Sequence, residues 1–75
     1  MDVTIIDTQK IVFQGKAKSV ILPGEKGTFE ILPFHKNIIS RLIKGEIIID
    51  GKILCPIKRG IMKAIKNEIK IIIEK

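Results

Sequence analysis

The stretch Val20-Ile21-Leu22-Pro23-Gly24-Glu25-Lys26-Gly27-Thr28-Phe29-Glu30-Ile31-Leu32-Pro33-Phe34-His35-Lys36-Asn37-Ile38-Ile39-Ser40-Arg41-Leu42 decides how this chain is read. One apolar run stops at Pro23-Gly24, and Gly27 follows. A second apolar pair stops at Pro33, ahead of the only histidine, His35, and of Ile38-Ile39. Proline fixes its own φ and has no N–H to donate, and glycine alone enters positive φ freely, so each cluster predicts a turn. Two constrained loops are expected, Leu22–Gly27 and Leu32–Lys36, around a short segment Thr28–Ile31. Pro23, Gly24, Gly27 and Pro33 read as residues that shape the backbone. Phe29, Ile31 and Leu32 read as core. Constraint concentrated in loops suggests that a surface is being built there.

Outward from this stretch the chain reads as strands. Val3–Asp7 is a short apolar run between aspartates and is expected to be an edge strand. Lys10–Gly15 and Lys16–Leu22 together suggest one long strand with a bend or bulge at Gly15. Asn37–Lys44 fits helical spacing for a turn or two, with Asn37 as N-cap, and fits an extended strand as well. Gly45 opens a hairpin: Glu46–Ile49 and Lys52–Cys55 flank Asp50-Gly51, the dipeptide that supplies both positive-φ positions of a type I′ turn. In the last segment, Ile57, Ile61, Ile65, Ile69 and Ile73 would also lie on one face of a basic amphipathic helix. The β-branched load, Gly60 and the alternation Ile69-Lys70-Ile71 favour instead a second hairpin turning at Asn67-Glu68. The fold class is therefore all-β, a small antiparallel β-sandwich or flattened barrel of about 8–10 short strands.

Composition bounds the rest. Seventy-five residues make one domain, 1–75, with 19 isoleucines against two alanines, a balance suited to a pleated core. A chain of this size buries only roughly 60% of its unfolded surface, so its stability is expected to need dense packing or a partner. The single Cys55 closes no internal disulfide and fits a reducing compartment. Neither a long apolar run nor a signal-peptide pattern at Met1-Asp2 is present, which suggests a soluble protein that stays where it is made. The net charge of +6 comes from 12 lysines and two arginines scattered along the chain, without Tyr or Trp to stack on bases. A solvated surface accounts for it better than a nucleic-acid site.

Chemistry is sparse. His35 is the one side chain suited to acid–base work near neutral pH, with Glu25 and Glu30 nearby in sequence, but no nucleophile or orienting partner stands at a telling spacing. It reads as a hydrogen-bonded loop residue. Cys55 lacks a C-x-x-C partner and reads as a small buried hydrophobe. Gly24-x-x-Gly27 lacks the glycines and the Lys-Ser/Thr of a phosphate loop. No catalytic, metal or cofactor residue is assigned.

The pattern Val20-x-Leu22-Pro23-Gly24-x-x-Gly27-x-Phe29-x-Ile31-Leu32-Pro33-x-His35-x-x-Ile38-Ile39-Ser40-x-Leu42-x-x-Gly45 resembles the N-terminal β-sandwich of the epsilon subunit of F-type ATP synthase. Phe13-x-Gly15 upstream and Gly60 with its alternating strand downstream extend the likeness over most of the chain. The resemblance implies an extended Asn37–Lys44 and a non-catalytic rotor subunit without a cofactor. Such a subunit binds gamma on one side and the c-ring on the other and couples proton flow to rotation. It implies a peripheral place, through the complex, at the cytoplasmic face of the plasma membrane. The ring-facing loops would carry Glu25, Lys26, Thr28, Phe34 and His35, with Pro23, Gly24, Gly27, Pro33, Gly45, Gly51 and Gly60 setting the turns. Two positions depart from the family pattern: Phe34 stands where glycine is usual, and Arg59 precedes Gly60 where a small residue is usual. The chain also ends at Lys75, without the C-terminal helical hairpin of most members. It is accordingly expected neither to inhibit hydrolysis by hairpin insertion nor to bind ATP. The alternative from another class is a small basic β-barrel that binds nucleic acid, which would need a clustered cationic face.

Overall fold

The computed structural model describes residues 1–8 and 10–75. Among these the chain forms nine strands: β1 (Asp2–Asp7), β2 (Lys10–Lys16), β3 (Val20–Gly24), β4 (Gly27–Ile31), β5 (Ile38–Leu42), β6 (Gly45–Ile49), β7 (Ile53–Ile57), β8 (Arg59–Ile65) and β9 (Glu68–Glu74). They hydrogen-bond in the order β2-β1-β9-β8-β5-β3-β6-β7, with β4 added on β3. The all-β reading holds, and the segments that fit helical spacing are strands. In β9 the reason is plain: Ile69, Ile71 and Ile73 are buried while Glu68, Lys70, Ile72 and Glu74 are exposed, a period of two.

The sheet folds over itself because four chain segments change sides, one of them the loop Leu32–Asn37 between β4 and β5. Leu42 pairs with Gly60, and Gly45 with Ile57, so β5–β6 and β7–β8 are the two arms of one long hairpin. Both arms bend, at Ile43–Lys44 and at Lys58, and thus pass from the half β2-β1-β9-β8-β5 to the half β4-β3-β6-β7. The third crossing is β2–β3, expected as one long strand bent at Gly15. It bends instead at Ala17–Ser19, while Gly15 pairs regularly with Val3. The Asp50 carboxylate holds that bend by accepting from the N–H groups of Lys18 (2.7 Å) and Ser19 (3.0 Å), donors released by the break in the ladder.

Other boundaries differ from the sequence reading. β1 is no edge strand: it lies between β2 and β9, parallel to the latter, so the sandwich is not wholly antiparallel. Its flanking aspartates mark exposed strand ends, and nothing local in sequence announces a partner from the other end of the chain. The loop expected over Leu22–Gly27 shrinks to the turn Glu25–Lys26, with Pro23 and Gly24 inside β3, Gly45 inside β6 and Gly60 inside β8. Pro23 is tolerated there because its backbone faces away from β4: its carbonyl accepts from Ile43 N–H at 2.9 Å, so the missing donor lies on that side too. The Asp50-Gly51 turn is as expected, with φ of 53° and 65° and Lys52 N–H donating to Ile49 C=O at 3.0 Å. β7 runs on through Pro56 to Ile57, which an end strand permits. The last turn falls one residue early, at Lys66–Asn67.

Between the halves sits a single apolar core. Val3, Ile5, Met62, Ile69 and Ile71 from one half meet Val20, Leu22, Ile31, Ile47 and Ile49 from the other, and no described polar side chain is buried. Ile31 is core as expected and Phe29 packs against it half-buried, but Leu32 is 52% exposed, because β4 ends at Ile31. One tight point is the β3–β4 turn. A Cβ on Gly24 would stand 2.6 Å from Phe29 Cε1 and 2.7 Å from Gly27 O. The ring could shift, but the carbonyl belongs to the turn. Gly24→Ala is therefore expected to cost about 1–3 kcal/mol, read as a lower urea midpoint with an unchanged m-value; an unaltered midpoint would contradict this packing.

Candidate functional site

β3 ends at Gly24 because the chain must reverse within two residues, and the reversal places Glu25 and Lys26 at an exposed tip. This tip is zipped to β5: Glu25 N–H donates to Arg41 C=O at 3.0 Å, beside the Pro23–Ile43 bond. Glu25, Lys26 and Thr28 line an open groove of about 640 Å³ whose other wall is β5, with Ile39, Ser40 and Arg41. Three of the five residues expected at a ring-facing surface thus come together.

Phe34 and His35 do not line that groove; they belong to the following loop. There Pro33 and Phe34 form a turn, and Phe34 has a φ of 66° and is 95% exposed. His35 is half-buried, with Nδ1 2.9 Å from Lys36 C=O and Nε2 shielded without a partner. It is the hydrogen-bonded loop residue that its isolation in sequence suggests. The loop's far end is fixed by Asn37, whose Oδ1 accepts from Lys66 N–H at 3.2 Å.

The most extended apolar feature escaped the sequence reading. Across the outer face of one half, Ile11 pairs with Ile6, Ile6 with Ile72, and Ile72 with Ile61, which in turn faces Arg41. Ile11, Ile61 and Ile72 are exposed and Ile6 is half-buried, so four strands contribute one continuous isoleucine row. Beside it an open groove of about 440 Å³ runs between Arg41, Arg59, Ile61 and Ile72. The signal was present in Ile5-Ile6 and Ile71-Ile72-Ile73: where neighbours in a strand are both apolar, one must point outward. Arg41 lines both grooves.

The Asp50 carboxyl is held below its ordinary value of 3.8, first by the hydrogen bond from Lys18 N–H and then by that from Ser19. The Cys55 thiol is pushed above its ordinary 9.0, mainly by burial. The described residues contain no cluster of three or more His, Cys, Asp or Glu suited to a metal ion. Among them, no helix is long and apolar enough to cross a membrane.

A small all-β sandwich that displays a continuous apolar row beside an open groove presents a surface of the kind that marks interaction sites. Comparison with known proteins narrows this reading. The family described as "ATP synthase, Delta/Epsilon chain, beta-sandwich domain" matches residues 1–75, and the chain belongs to that family. It is 33% identical over 76 residues to the ATP synthase epsilon chain of Endomicrobium trichonymphae, covering 97% of this chain and 55% of that one. It is 45% identical over 51 residues to the epsilon chain of a Nitratiruptor species, covering 64% and 40%. The chain thus spans between two fifths and just over half the length of these two relatives. A solved structure titled as the central stalk and c-ring of the Tetrahymena thermophila mitochondrial ATP synthase contains a chain of the same fold. Its TM-score is 0.80 at 14% identity, over 99% of this chain and 63% of that one.

Two measurements probe this surface chemistry. Asp50 has a lower pKa folded than unfolded, so its stabilisation is fully present above the unfolded value and is lost as pH falls through the folded one. Melting temperature is therefore expected to drop below pH about 4 more steeply in the wild type than in Asp50→Asn, which keeps an acceptor but does not titrate. Parallel curves would mean that the Ala17–Ser19 bend owes nothing to this carboxylate. For Cys55, a buried and protonated thiol predicts labelling by a disulfide reagent at least about 100-fold slower in native protein than in urea. Equal rates would contradict its burial.

Proposed function

We propose that this domain is a non-catalytic part of the central stalk of a proton-translocating F-type ATP synthase, and that it links the gamma subunit to the c-ring for rotary coupling. The family match over residues 1–75 carries the reading. The shared fold with a chain of an ATP synthase central stalk and c-ring structure supports it. Residues 1–75 act as one domain, and a sandwich packed to the low compressibility of protein interiors suits a part that transmits torque. The domain is held at the membrane through the complex.

The isoleucine row Ile11–Ile6–Ile72–Ile61 is assigned to gamma, because an apolar row flanked by Arg41 and Arg59 fits a permanent protein contact. The Glu25–Lys26 turn with Thr28, and the loop with Phe34 and His35, are assigned to the ring. Pro23, Gly24, Gly27, Pro33, Gly45, Gly51 and Gly60 shape the frame behind them. A contact of standard size, about 800 Å² per partner, would take roughly a seventh of the 5239 Å² surface, so two partners have room. Both grooves share Arg41, so the two contacts would meet along one edge, as they must where a shaft joins a ring.

Purified chain is expected to co-elute one-to-one with gamma of the same synthase, and an apolar contact should survive about 1 M salt. The double variant Ile61→Lys/Ile72→Lys should keep the fold, since both side chains are exposed, and weaken gamma binding by more than about 10-fold. Salt-sensitive retention on nucleic acid with no gamma binding would defeat the assignment.

A further inference from the structure

We propose that Phe34 is the apolar anchor of the ring-facing loop, seated in an apolar pocket edged by carboxylates on the partner protein. The inference rests on the ring-facing assignment of that loop.

Phe34 is costly where it stands. A proline followed by a residue at positive φ is the pattern of a type II turn, whose second inner position calls for glycine or asparagine. At a φ of 66° every residue with a Cβ is disfavoured, and a large aromatic gains nothing locally to offset that. Two other residues of positive φ have a local return. Asp50 binds the N–H groups of Lys18 and Ser19, and Lys66 N–H is held by Asn37. Phe34, in contrast, is 95% exposed, more than any other large hydrophobic side chain described. It fills no core and shapes no turn that a smaller residue would not shape better, so its return lies outside the chain.

The surroundings indicate the partner. Leu32 stands half-exposed two residues away and widens the apolar contact. Leu32–Asn37 contains Lys36 and no carboxylate, and Asn37 ties the loop to Lys66. An apolar tip with cations at its base fits a pocket with an acidic rim. A protein pocket fits better than a lipid surface, because one aromatic with a few lysines falls short of the two signals that stable membrane anchoring takes.

The test measures the 75-residue chain against the purified c-ring of its own synthase in detergent micelles, with ring-free micelles and anionic vesicles as comparisons. Phe34→Asn suits the turn and removes the anchor, and is expected to raise the melting temperature by about 4 °C or more. The same variant should raise Kd for the ring about 30-fold or more. Phe34→Leu keeps both backbone strain and apolar area, and should stay within about 5-fold of wild type. A Phe34→Asn variant that bound the ring like wild type, or melted lower than wild type, would overturn the anchor. So would equal loss of binding to ring-free vesicles, which would assign Phe34 to lipid. Wild-type chain that ignored the ring but still bound gamma would remove the ring-facing reading itself, and the anchor with it.

Discussion

The fold depends on a short zipper where β3 ends. Gly24 pairs with Leu42, the Pro23 carbonyl accepts from Ile43 N–H, and Glu25 N–H donates to the Arg41 carbonyl. Among the described residues, these contacts are the direct β3–β5 link between the two halves of the sheet, which the chain otherwise joins through its bent arms and the Leu32–Asn37 loop. They also decide the groove, since they draw the Glu25–Lys26 tip against Arg41. A side chain on Gly24 would press on Phe29 and the Gly27 carbonyl, in the turn whose tip this junction holds, so the surface turn and the closure of the core are linked.

Closure is what lets so small a chain bury so much. Each half alone would expose one apolar face; folded together they leave no described polar side chain buried and no apolar face of the core open. The same economy limits where function can lie. With the interior given to isoleucine packing and the single cysteine buried inside it, recognition falls to the surface, where the outer row, the tip at Glu25–Lys26 and the loop at Phe34 are the proposed contacts. All three are apolar or charged surfaces on rigid supports, which suits binding between parts that move as one body.

Local chemistry made much of this legible in the sequence. Asp50-Gly51 announced its hairpin because Asp-Gly is one of the few dipeptides that meet two positive-φ positions cheaply. Pro33 announced a loop, and the lone His35 and Cys55 announced their own lack of partners. The pattern from Val20 to Gly45 carried the family resemblance. Pro23-Gly24 misled only in extent: the cluster ends β3 as expected but still belongs to it, because the donor that Pro23 lacks points away from β4 and costs that ladder no bond. Leu32 misled in turn, since apolar character alone does not say on which side of a strand's end a residue falls.

Turn chemistry acts over two to four residues, and alternation over the length of a strand, so the sequence by itself determined the strands, most reversals and the family. The tertiary structure alone decided which strands became neighbours. β1 lies beside β9, from the opposite end of the chain, and only that pairing aligns Ile6 with Ile72 and makes single exposed isoleucines into a row. Likewise Asp50 reaches Lys18 and Ser19 only after the long hairpin has bent over the core. Such pairings are chosen by the burial of the whole apolar surface at once, and no local window of the sequence contains that sum.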